Sequence, residues 1–121
     1  MQHKINVSVK TQYMAEQTQP QRYVYSYTIT IANEGEITAQ LLSRHWKIHD
    51  ANENLQEVQG IGVIGEQPII EPGQSYTYTS GVVLETETGM MEGVYHMRAD
   101  DGESFNATIP TFALVPPHAL H

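Results

Sequence analysis

Cysteine is absent from this 121-residue chain. That absence excludes disulfide staples, thiolate metal ligands and thiol nucleophiles together, so stability has to come from packing. Long apolar runs are missing as well. No stretch approaches the ~18 residues that a membrane-spanning helix needs, and Met1-Gln2-His3-Lys4-Ile5 lacks the apolar core of a signal peptide. The expectation is a cytoplasmic protein with no membrane partner, in which the triplets Asn6-Val7-Ser8 and Asn106-Ala107-Thr108 carry no sugar. Basic residues are scarce and unevenly placed: 6 Lys and Arg stand against 14 Asp and Glu, for a net charge of −8, and none falls between Lys47 and Arg98. An uninterrupted acidic stretch repels phosphate backbones, which argues against nucleic acid as a partner. Solubility alone accounts for such a charge.

Short segments rich in β-branched and aromatic residues recur between Gly, Pro, Asn and Asp, with no helical period. In Tyr23–Ile31 the large residues occupy the odd positions and mostly small or polar ones the even positions, which predicts a strand with one buried and one wet face. Ile5, Val7 and Val9 predict an earlier strand, followed by a polar loop from Thr11 to Gln21 that Pro20 closes. In Leu41–Ile48, strict alternation turns Leu42, Trp46 and Ile48 to one face and His45, Lys47 and His49 to the other. Further strands are expected around 55–58, 75–79, 94–99 and 105–109, with Asp101-Gly102 as a primed two-residue hairpin turn between the last two. About seven short antiparallel strands in one domain of 13.6 kDa predict an all-β, two-sheet sandwich of immunoglobulin or fibronectin type III kind over residues 1–121. Tyr95 then falls either at a tyrosine corner or in the ordinary core. Residues 115–121, which include Pro116 and Pro117, read as a surface tail, because proline removes ladder donors.

The most conspicuous motif is Gly60-Ile61-Gly62-Val63-Ile64-Gly65, which spells GxGxxG. Dinucleotide-binding folds need a helix immediately after such glycines, so that its N-terminal amides meet a pyrophosphate. Pro68 and Pro72-Gly73 leave no room for one. Two readings survive. The glycines supply positive φ at a turn, or their amides at Gly60, Gly62 and Gly65 form an anion-binding nest. With Glu57, Glu66 and Glu71 close in sequence, the second reading requires a bridging divalent cation such as Mg2+ or Co2+.

The same glycine run continues into Glu66-Gln67-Pro68. Pro72-Gly73, Tyr78-Thr79-Ser80-Gly81, Gly89-Met90-Met91-Glu92-Gly93-Val94-Tyr95 and Ile109-Pro110-Thr111-Phe112 follow it in order. Together with Tyr27–Ile31, Arg44-His45-Trp46 and Asp50-Ala51-Asn52, these motifs resemble the ApaG family over nearly the whole chain. The resemblance implies a fibronectin type III-like sandwich, an association with cobalt resistance and magnesium efflux, a glycine motif proposed to bind pyrophosphate or nucleotides, and a protein-interaction role of the kind seen in related eukaryotic domains. It implies no enzymatic activity. Glu87 stands where the family often has proline, and Gln59 where a basic residue is common.

Catalytic constellations are lacking: Thr79-Ser80-Gly81 is no nucleophile elbow, and Glu85 and Glu87 read as solvated surface. His45 and His49 cannot share one ion on a straight strand, where four residues span ~13 Å. His118 and His121 could converge only if the tail turned back, with His3 a further recruit, and His96 reads as a structural strand residue. The expected function is therefore a non-catalytic binding domain that needs no cofactor. Its partner is expected to be a protein, met by the Gly60–Gly65 loop with Tyr76, Tyr78, Met90 and Met91, because aromatic and methionine side chains are favoured at interfaces. The alternative is a pyrophosphate or nucleotide sensor at Gly60, Gly62 and Gly65.

Overall fold

The structure, a computed structural model, describes residues 3–119. Eight strands follow in order: β1 (Ile5–Tyr13), β2 (Tyr23–Asn33), β3 (Ala39–Asp50), β4 (Leu55–Ile61), β5 (Ile69–Ile70), β6 (Ser75–Leu84), β7 (Gly89–Ala99) and β8 (Ser104–Leu114). Single 3-10 turns lie at Ala15–Gln17 and Pro117–Ala119. One sheet has the order β1-β2-β6, and the other β4-β3-β7-β8 with the two-residue β5 on β3, all paired antiparallel. This is the predicted all-β, two-sheet antiparallel sandwich of the immunoglobulin or fibronectin type III-like class.

The period-2 pattern of β2 buries Tyr25, Tyr27, Ile29, Ile31 and Asn33. Its outer face carries threonines that bond across to β6, Thr28 to Thr79 at 2.8 Å and Thr30 to Thr77 at 3.0 Å. Two strands break strict alternation, and both do so at bulges. In β3 the register with β7 shifts between Leu41 and Ser43. Leu41 is therefore buried with Ala39, the parity then flips so that Trp46 and Ile48 are buried, and Leu42 stands half-exposed rather than facing with them. In β8 the register shifts opposite Met91–Gly93, so that Ile109 and Leu114 are both buried. Pro110 sits in that bulge, where a missing ladder donor costs least.

Several segments depart from expectation. β1 runs on to Tyr13, paired with Tyr25, because β2 is long enough to template it, and the Thr11–Gln21 loop shortens accordingly. Gly60 and Ile61 belong to β4, and Met90 and Met91 to β7. The β7–β8 turn is a three-residue loop: the Gly102 amide donates to the Ala99 carbonyl and the Ala99 amide to the Glu103 carbonyl, both at 2.9 Å, with Gly102 alone at positive φ. Pro116 is buried, so the 115–121 segment is not wholly superficial; Leu120 and His121 lie outside the described residues. Tyr95 is not a tyrosine corner. Its hydroxyl meets that of Tyr78, on the opposite sheet, at 2.5 Å. The tyrosine that reaches a main-chain carbonyl is Tyr25, whose hydroxyl donates to Glu87 at 2.6 Å.

Between the sheets Trp46 is ringed by Tyr27, Tyr95 and Phe112 at centroid distances of 5.4, 6.4 and 6.0 Å, all close to edge-on. Such T-shaped pairs are favoured by the aromatic quadrupole. At one end of the core the buried Asn33 amide donates to the carbonyls of Ile37 and Ile70, each at 2.9 Å, and its oxygen accepts the Gly35 amide at 3.0 Å. One side chain thus fixes the β2–β3 crossover and the position of β5.

Two outcomes follow for stability. Asn33→Ala removes the side-chain donor to the Ile37 and Ile70 carbonyls and the acceptor of the Gly35 amide, and is expected to cost about 2–4 kcal/mol in urea unfolding; a loss below about 1 kcal/mol would show that the crossover is held by other means. Burial pushes the Tyr25 and Tyr78 phenols up to about 12 and raises Tyr95 as well. The folded protein keeps these protons where an unfolded tyrosine, with a pKa near 10, has lost them. Their stabilisation is therefore complete below about pH 10 and is lost as pH rises through 12. Unfolding free energies measured across that interval should fall, and the fall should be shallower in Tyr78→Phe/Tyr95→Phe.

Candidate binding site

The glycine motif begins inside β4, where Gly60 pairs with Arg44 and Ile61 with Ser43 of β3. The chain then leaves the sheet at Gly62, whose amide donates to the Leu42 carbonyl at 2.8 Å. Val63 and Glu66 exchange both backbone bonds, at 2.8 and 2.9 Å, while Ile64 and Gly65 between them hold φ of 41° and 81°. This is a two-residue primed turn. Gly62 also has positive φ, and a Cβ there would lie 2.2 Å from the Glu66 carbonyl oxygen. The amides of Gly62, Val63 and Glu66 are thus already engaged by backbone carbonyls.

Gly60 is bare for a different reason. A Cβ there would meet the Arg44 guanidinium at 2.7 Å. Arg44 lies across Gly60 and donates from Nη1 to the Gly62 carbonyl at 2.8 Å. Among the described residues it forms no ion pair with a carboxylate, the ion pairs being those of His3, His45 and His118. A basic residue therefore stands at the glycine motif, although none is near it in sequence. Its arrival depends on the β3–β4 register, and the bulge at Leu42 conceals the phase of that register from simple alternation.

Arg44 also sits at the mouth of a cleft. On one flank of the sandwich β1 and β8 lie against each other, whereas on the other the edge strands β4 and β6 stand apart. A cavity of about 320 Å³ opens there over Tyr27, Arg44, Trp46, Val58 and Val82. A smaller one of about 200 Å³ shares Tyr27, Arg44, Trp46 and Ser80 with it and is bounded by Ile64 and Tyr78. Tyr76 ties the hairpin to β6, its hydroxyl donating to the Glu66 carboxylate at 2.8 Å.

Of the four side chains expected on a partner surface, Tyr78 and Met91 are core residues, 5 % and 1 % exposed. Tyr76 is half-buried beside the hairpin, and Met90 is exposed but on β7, opposite His49. The exposed apolar residues near the glycines are instead Ile61, Ile64 and Ile69. His45 is held by Glu57 at 2.9 Å and does not converge with His49; His96 bonds Asn106 at 2.9 Å, and His118 bonds Glu87 at 3.2 Å. The pairing of His118 with His121 lies outside the described residues. Glu85 and Glu87 are exposed.

The family model described as the ApaG domain matches residues 13–99. Protein ApaG of Thiobacillus denitrificans is 53% identical over 121 residues, which span 98% of this chain and 95% of that protein. Protein ApaG of Pseudomonas aeruginosa is 54% identical over 122 residues, covering 99% and 97%. A crystal structure of a protein from Bordetella pertussis superposes with a TM-score of 0.93 at 44% identity and 95% coverage of each chain. An Archaeoglobus fulgidus protein, 8% identical with a TM-score of 0.58 over 93% of this chain and 97% of that one, shares the fold alone. With a family model over most of its length and full-length relatives at more than half identity, this chain belongs to the ApaG family.

Proposed function

We propose that the domain is a non-catalytic protein-binding module whose partner docks on the Ile61–Ile70 hairpin and the adjoining cleft between β4 and β6. One observation carries this reading. Three of the six large hydrophobic side chains exposed among the described residues, Ile61, Ile64 and Ile69, lie within that short segment, at 78%, 58% and 64%. Ile64 also breaks a local rule. A β-branched residue at φ of 41° is strained, and a primed turn favours Asn or Gly at that position. Exposed and strained apolar side chains add nothing to folding, and their place is accounted for by a partner that buries them. The outer edge of β4, unpaired among the described residues, adds main-chain donors and acceptors that an extended segment of a partner can use.

A second reading is favoured by Arg44 alone. A guanidinium without a carboxylate partner among the described residues, beside the exposed turn of Ile64 and Gly65, suits a pyrophosphate or nucleotide, with Mg2+ or Co2+ offsetting the nearby acidic groups.

The two readings separate experimentally. Under the first, Ile64→Asn stabilises the domain by about 1 kcal/mol yet weakens capture of cytosolic proteins, and Ile61→Lys abolishes capture with unfolding unchanged. Equal capture by wild type and both variants rejects that reading. Under the second, calorimetry with pyrophosphate and nucleotides, with and without Mg2+ or Co2+, gives heats that vanish in Arg44→Ala; no heat at millimolar ligand rejects it.

A further inference from the structure

We propose that His3, Asp101 and Glu103 form a binding site for a first-row divalent cation of the Zn2+ class at the β7–β8 turn. The three residues come from distant parts of the chain. His3 immediately precedes Lys4, whose carbonyl accepts the Glu34 amide at 2.8 Å, so the strand entry is anchored. The imidazole is then oriented by stacking on Phe105 of β8, with centroids 4.7 Å apart and planes 6° from parallel. That stacking aims Nε2 at the turn, where it is sealed from solvent and has no hydrogen-bond partner among the described residues. A buried imidazole nitrogen left unsatisfied is uncommon and calls for a ligand.

Two carboxylates face it. Asp101 Oδ2 is 3.5 Å and Glu103 Oε2 3.9 Å from Nε2. Asp101 is preset, because its other oxygen accepts the Glu103 amide at 2.9 Å within the turn. All three ligand atoms lie within 4.8 Å of one another. Metal bonds of about 2.0–2.2 Å place two ligands of a tetrahedral ion roughly 3.4 Å apart. The set therefore has to contract slightly, and the movement falls on Glu103, whose side chain is 65% exposed and free to turn. One neutral imidazole and two carboxylates give a charge of −2 that a dication balances. The nitrogen donor selects a borderline ion over Mg2+ or Ca2+, which prefer all-oxygen shells. Among the described residues, His45 with Glu57 and His118 with Glu87 offer two ligands each.

The test is Zn2+ titration of the full, tag-free chain by calorimetry and by competition with a chromophoric chelator, with Mg2+ as the control. One micromolar Zn2+ site is expected, with no comparable Mg2+ binding. His3→Ala and Glu103→Gln should each weaken it by about tenfold or more, while His45→Ala and His118→Ala leave it unchanged. Glu103 is exposed enough that its substitution spares the fold, and thermal unfolding without metal checks this for each variant. Zn2+ should also shift the His3 ring resonances ahead of those of the other histidines. Absence of micromolar binding, or binding that survives both His3→Ala and Glu103→Gln, overturns the proposal and leaves His3 as a structural contact to the two carboxylates at the strand entry.

Discussion

Two hydroxyl groups meet between the sheets, and the remainder of the core is arranged around them. Tyr78 comes from the three-stranded sheet and Tyr95 from the larger one, and each is almost wholly buried among apolar atoms. Neither phenol can lose its partner without leaving a polar group unsatisfied, so their bond sets the spacing and the lateral offset of the two layers. Trp46 takes its place against Tyr95 and Tyr27 in consequence, and Phe112 closes the ring from β8. Tyr25 applies the same device at the far end, where its hydroxyl holds the main chain that links β6 to β7.

This aromatic core also explains why the two flanks differ. On the β1–β8 side the edge strands approach and seal the interior. On the β4–β6 side the floor is made of large rings and the rim of Val58, Ser80 and a guanidinium, so a cleft remains. The glycines serve that rim. Gly60 makes room for Arg44, while Gly62 and Gly65 let the chain turn sharply enough to bring Ile64 to the cleft mouth. A motif that resembles a nucleotide signature thereby becomes the scaffold of an apolar hairpin on the edge of an ApaG domain.

The fold was largely legible because period-2 patterning reports burial wherever a strand is regular, as β2 shows from Tyr25 to Asn33. It misled where the ladder is not regular. The bulge at Leu42 moved the buried parity from Leu41 to Trp46, and the bulge at Pro110 carries β8 on past the expected end at 109 with the parity changed between Ile109 and Leu114. Tyr78 and Met91 looked like interface residues because their types are favoured there, and composition cannot distinguish a contact surface from a core that uses the same side chains. Hairpin chemistry fell at a different turn: the primed geometry expected at Asp101-Gly102 occurs at Ile64-Gly65, where a β-branched residue argues against it.

The sequence by itself determined the class of this protein. The lack of cysteine, the alternating strands and the ordered motifs specify a packed β-sandwich of the ApaG family, since patterning and turn residues act locally and are written in neighbouring positions. The convergences were decided by tertiary structure alone: Arg44 over Gly60, Tyr78 against Tyr95, and His3 beside Asp101 and Glu103. Each joins residues separated by many positions, through a register or a crossover that one bulge can shift by a residue. Linear spacing carries no record of such a shift, and the side chains that meet depend on it.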